Sequence, residues 1–115
     1  MLNKHIVGEL FEIAQGYIGG SLEFKDTNVG VFSYEQISLN AENHKLDIIC
    51  SLEQYSIIMS YDGYINYLQP LTKEQVLELL YFFKETYDNC KEYPNALHNA
   101  LEQTCYKYKK ERMMK

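Results

Sequence analysis

Three histidines, three cysteines and sixteen carboxylates are the groups in this 115-residue chain that could do chemistry, and their spacing supports little of it. His5, His44 and His98 are far apart, and none has a second His or a Cys at metal-ligand spacing, so a structural zinc site is not expected. His5, Glu9 and Glu12 stand at i, i+4 and i+7 on one flank of a helix, a set that could hold a cation or move a proton. Helix-surface ion pairs use the same spacing, and the set is expected to be one of them. Glu74 and Glu78 fall on the solvent side of a later helix. Cys50, Cys90 and Cys105 form no CxxC pair; Cys50 and Cys105 lie on apolar faces and read as core residues. Ser51, Ser56 and Ser60 alternate with apolar residues and have no nucleophile-elbow signature around them. No catalytic residue, metal site or cofactor is expected.

The elements that would position these groups read as α, then strands, then α and α. Leu2, Ile6, Leu10, Ile13 and Tyr17 recur at helical spacing after Asn3, a good N-cap, and Gly16 with Gly19-Gly20 marks the stop. The period then becomes two. Leu22 and Phe24 alternate, 25–28 (Lys-Asp-Thr-Asn) reads as a turn, and 29–34 and 37–39 are β-rich. Residues 46–52 and 55–61 alternate most clearly. Asp62-Gly63 suits a two-residue type I′ turn that pairs Tyr61 with Tyr64, Met59 with Asn66 and Ile57 with Leu68. Pro70 ends that strand, and Thr72-Lys73-Glu74-Gln75 has the capping-box pattern. Val76, Leu79, Leu80, Phe83 and Tyr87 continue a stripe to a break at Asp88-Asn89, and Tyr93-Pro94 opens a last helix carrying Leu97, Ala100, Leu101, Thr104, Cys105 and Tyr108. The expected fold is a single α+β domain over 1–115: an antiparallel meander of about six short strands, with one N-terminal and two C-terminal helices packed on it. Its end, 106–115, is a basic helix end or tail.

If Glu53-Gln54 is also a two-residue turn, Ile49 stands beside Ile58 and Ile58 beside Tyr67, with Ile65 extending the row. Leu46, Ile48, Ile57, Met59, Tyr61 and Leu68 share the other, richer face. With three helices to place, the expectation is that one of them covers the Ile49–Ile58–Tyr67 row; left bare, it would serve a partner.

Charge is the one feature with direction. Residues 1–105 carry 15 acids against 6 lysines, a balance of −9, while 106–115 carry 5 bases against Glu111. An acidic body attracts basic partners and is repelled by phosphate backbones, so direct nucleic-acid binding is not expected even though the tail interleaves Tyr106 and Tyr108 with bases. An apolar run long enough to span a membrane and a secretory signal are both missing, and the odd cysteine count fits a reducing, cytoplasmic compartment. Eleven tyrosines and no tryptophan are unusual, and the tyrosines cluster around Asp62-Gly63.

These features point to a non-enzymatic acidic protein-binding module, of the kind that inhibits a basic partner as toxin-immunity or phage anti-defence proteins do. Its expected binding residues are Tyr61, Asp62, Tyr64, Tyr67, Ile49, Ile58 and Ile65. A homodimer through the second sheet face is a further expectation about partners. The alternatives are a small enzyme or ligand-binding protein with a pocket between sheet and helices that uses Glu9 or Glu12, and a nucleic-acid accessory protein that uses the basic tail.

Overall fold

A computed structural model describes residues 2–113. The helix α1 (Lys4–Gln15) leads into five strands, β1 (Ser21–Val29), β2 (Phe32–Ala41), β3 (His44–Ser51), β4 (Gln54–Tyr61) and β5 (Tyr64–Leu71). Two helices follow, α2 (Lys73–Cys90) and α3 (Ala96–Met113). The strands form one antiparallel sheet in the order β1-β2-β3-β4-β5.

The strand count is five where six were expected, because residues 25–28 continue β1 and pair with 33–36 of β2. Polar residues of that kind are common in turns, but one face of an edge strand meets water and accommodates them equally well. The reversal falls instead at Gly30-Val31, between the paired Val29 and Phe32, where Gly30 has φ +63°. The Asp62-Gly63 turn is as expected: φ is +49° and +77°, and Tyr61↔Tyr64, Met59↔Asn66 and Ile57↔Leu68 pair across it. The third reversal is displaced. Leu52 and Glu53, at φ +52° and +63°, make the turn between β3 and β4, so Ser51 pairs with Gln54 and Ile48 with Ile57. The expected Glu53-Gln54 turn differs by a two-residue slip, which leaves every side chain on the same face, and neither placement has a Gly or Asn to mark it.

Capping agrees with the sequence reading. The Asn3 side chain accepts from the Ile6 N–H at 2.9 Å. Thr72 and Gln75 close a reciprocal capping box, with Gln75 N–H donating to Thr72 Oγ1 at 3.1 Å and Thr72 N–H to Gln75 Oε1 at 2.8 Å. The later boundaries shift slightly: α2 runs through Asp88-Asn89 to Cys90, and Pro94 lies in the turn before α3.

All three helices pack on one face of the sheet, α1 on β1 and β2, α2 on β4, and α3 on β4 and β5, with α2 also against α1 and α3. Ile37, Leu39, Leu46, Ile48, Ile57, Met59 and Leu68 from the strands meet Ile6, Leu10, Ile13, Val76, Leu79, Leu80, Phe83, Leu97 and Leu101 from the helices in one buried core. Among the described residues, no helix is long and apolar enough to cross a membrane.

Candidate binding surface

The face of the sheet away from the helices carries the row expected to matter, in a different register. Ile58 pairs with Tyr67 on one side and with Asp47 on the other, and Asp47 pairs with Ser38, which pairs with Glu23. Ile49 stands opposite Ser56 rather than Ile58, and Ile65 opposite Ser60. Period-two alternation still puts Ile49, Ile58, Ile65 and Tyr67 on this one face. No helix of the described residues covers it, contrary to expectation, and Ile65 and Tyr67 are 59% and 61% exposed. The reason lies in what the face is made of: Ser38, Ser51, Ser56, Ser60, Gln36 and Asn40 would lose water under a helix without gaining partners.

At its centre is a small polar network that the sequence did not reveal. The Ser38 hydroxyl donates to Asp47 Oδ1 at 2.5 Å, the Gln36 amide donates to the same oxygen at 3.2 Å and to Ser38 Oγ at 3.1 Å, and Lys45 Nζ lies 3.7 Å from Asp47 Oδ2. Ser38 and Asp47 are both buried although no helix of the described residues packs on this face. Asp47 is therefore satisfied within the sheet by residues two places away or one strand across.

The hairpin tip is divided. Tyr61 and Tyr64 point to the helix side, where Tyr61 is only 8% exposed and Tyr64 is exposed. Tyr61 packs edge-on against His98 at 4.9 Å between ring centroids. Burial pushes its hydroxyl up to about 12, with the charge and hydrogen bond of the Cys105 thiol adding to the shift. It is an anchor of the core, not a surface group. Asp62 is exposed, and its Oδ2 lies 3.3 Å from His98 Nδ1, while Glu102 Oε2 lies 3.5 Å from His98 Nε2. His44 joins this group with its ring 5.9 Å from that of His98, and its buried Nδ1 has no hydrogen-bond partner, the Glu42 carboxylate being 4.0 Å away. Two histidines 54 positions apart thus meet at one end of the sheet; of this cluster only the His98/Glu102 spacing was visible in sequence. Among the described residues no three His, Cys, Asp or Glu side chains are arranged to hold a metal ion.

The remaining candidates serve packing. His5 and Glu9 pair at 3.3 Å, and Glu9 and Glu12 each lie 3.8 Å from Lys84 Nζ, which also holds Asp88 at 2.8 Å. Burial works against the charge of Lys84, but Asp88, Glu9 and Glu12 outweigh it and raise its pKa. The flank is an ion-pair clamp between α1 and α2. Glu78 pairs with Lys107 at 3.4 Å. Cys50, Cys90 and Cys105 make no disulfide, and burial raises the Cys105 thiol. Much of the basic tail is helix: Lys107 is paired, and Tyr108 and Arg112 bind the backbone of Gln69. Residues 114 and 115 lie outside the described residues.

Fold and surface together define a small α+β domain: a five-stranded antiparallel meander with three helices on one face and a bare, mixed apolar and polar second face. No family model matches the chain, and no curated protein or solved structure matches it significantly.

Proposed function

We propose that this chain is a non-enzymatic binding module that receives a basic protein partner on the bare face of its sheet, as a small inhibitor would. The observation that carries the reading is the half-exposed Ile65 and Tyr67, set beside Ile58 and Ile49 on a face that no helix of the described residues covers. Apolar side chains ringed by short polar groups are the usual make-up of a docking surface. The satisfied Ser38–Gln36–Asp47 network lets that face lose its water without stranding a carboxylate.

The basic partner follows from the rim. Three of the four hairpin turns carry an acid, Glu42, Glu53 and Asp62, and none carries a cation, while the charges on the face itself, Glu23 with Lys25 and Lys45 with Asp47, alternate in sign. A neutral centre inside an acidic rim steers a basic protein and then buries apolar area. Three cysteines without a disulfide fit a cytoplasmic site of action.

The test is capture of a partner from host extract, repeated with Tyr67→Ala and Ile65→Ala after circular dichroism has shown the fold unchanged. Loss of an anchor side chain should weaken binding by about 2 kcal/mol, roughly thirtyfold, and raised salt should slow association. A partner retained in full by both variants, or a small metabolite bound in its place, would remove this face from the account.

A further inference from the structure

Each edge strand of an open sheet presents unpaired N–H and C=O groups, and the two edges here are treated differently. On β5 the Gln69 N–H donates to the Tyr108 hydroxyl at 3.1 Å, the hydroxyl donates back to the Gln69 carbonyl at 3.0 Å, and Arg112 donates to the Gln69 and Pro70 carbonyls at 3.0 and 3.4 Å. That end of the edge is occupied by α3. β1 has an unbroken register with β2 from Ser21↔Asn40 to Val29↔Phe32, and no other strand of the described residues pairs with its far side. Residues flanking a two-residue hairpin turn exchange both hydrogen bonds, so Val29 and every second residue before it face β2, and Leu22, Phe24, Asp26 and Asn28 direct their backbone groups outward.

The side chains at this edge are also unfinished. Phe24 points to the helix side yet is 62% exposed. Above it α1 uses Ile6, Leu10 and Ile13 for the core and carries a second apolar line, Val7 and Phe11, of which Phe11 is 47% exposed. Leu2, Val7 and Phe24 line a shallow hollow of about 220 Å³ between this line and the strand.

We propose that two copies of this chain pair through β1, antiparallel about a two-fold axis at Phe24, to form a continuous ten-stranded sheet. The charge pattern selects both the occupant and the register. With outward-facing residues paired, the axis falls on a residue and not between residues, so the choices within two places of Lys25, the middle of β1, are Glu23, Phe24, Lys25, Asp26 or Thr27, and an axis on Thr27 makes no opposite-charge pair. An axis on Glu23, Lys25 or Asp26 sets that residue against its own copy, like charge against like. An axis on Phe24 sets Phe24 against Phe24, and brings Glu23 of each copy opposite Lys25 of the other on the bare face. Leu22 and Asp26 of the two copies then exchange the flanking backbone bonds, and the Val7–Phe11 lines of the two α1 helices approach across the axis. Two chains of net charge −5 repel at a distance, and this strand is where that repulsion is replaced by two opposite-charge pairs. Glu23 and Lys25 share the bare face proposed for the protein partner but stand on β1, at the opposite edge of the sheet from Ile65 and Tyr67 on β5, so either proposal can fail alone.

Sedimentation velocity tests the proposal, with each variant first shown to be folded by circular dichroism. The wild type should sediment at twice 13.6 kDa at roughly 100 μM and dissociate on dilution. Glu23→Lys alone, or Lys25→Glu alone, should weaken the dimer tenfold or more, and the double exchange Glu23→Lys/Lys25→Glu should restore it. A wild type that stays monomeric at that concentration overturns the proposal. So does a dimer undiminished by the single reversals, or a double exchange no better than either single change.

Discussion

The turn at Leu52-Glu53 stores strain that a designed replacement should release. Both residues lie in the left-handed region, at φ +52° and +63°, where a side chain with a Cβ costs about 1–2 kcal/mol each. Leu52 recovers nothing by packing, since it is 77% exposed. Leu52→Asn with Glu53→Gly places the preferred type I′ pair at these two positions. Asn relieves part of the strain at 52 and Gly all of it at 53, while the extra freedom Gly adds to the unfolded chain takes back about 0.5–1 kcal/mol. The net gain is about 1–1.5 kcal/mol. Unfolding entropy near 2.1 cal/mol/K per residue over 115 residues converts each kcal/mol into about 4 °C, so Tm should rise by about 4–6 °C in a thermal melt followed by circular dichroism. The control moves the same pair one place along, Glu53→Asn with Gln54→Gly. Gln54 is paired with Ser51 in the ladder, so that variant should gain nothing or lose stability. If the control is the stabilised protein and the first variant is not, the turn lies at Glu53-Gln54 and the strand register derived from it is wrong.

Gly63→Ala should lower stability by about 1 kcal/mol, read as a shift in the urea midpoint: Gly63 is at φ +77°, and an added Cβ meets nothing within 4 Å, so the cost is conformational and not steric. An unchanged midpoint would refute the type I′ geometry. Stability should also fall between pH 10 and pH 12, because burial pushes the Tyr55 and Tyr61 hydroxyls up to about 12 and that of Tyr17 up as well. Below pH 10 these groups are protonated in both states and the stability is whole; above it the unfolded chain ionises first, near the ordinary tyrosine value of about 10, and gains on the folded state until the folded pKa is passed. Tyr55→Phe with Tyr61→Phe should flatten the loss across that window in a series of denaturant midpoints, and an unaltered slope would show that these hydroxyls are not protected by the fold.

What could be read along the chain was what has a local cause. Asn3 and the Thr72/Gln75 pair marked helix starts because their side chains satisfy N–H groups three residues away. Asp62-Gly63 marked its hairpin because glycine meets the demand for positive φ within the turn itself, and from there alternation assigned Ile49, Ile58, Ile65 and Tyr67 to one face. The antiparallel order followed from connections too short for a crossover. Tertiary structure decided the rest. Leu52-Glu53 has no turn chemistry of its own, so the sheet as a whole chose it over a neighbouring placement two residues out of register. All three helices went to the richer face, because the buried apolar strand residues there, Ile37, Leu46, Ile48, Ile57 and Met59 among them, outweigh a second face of serines and amides that would be desolvated without return. That choice left Ile65 and Tyr67 in water, drew Tyr61 into the core against His98, and joined Asp62 to a helix 36 positions away. Local chemistry sets the elements and their faces; which face is covered depends on the summed area and polarity of surfaces that meet only after the chain has folded.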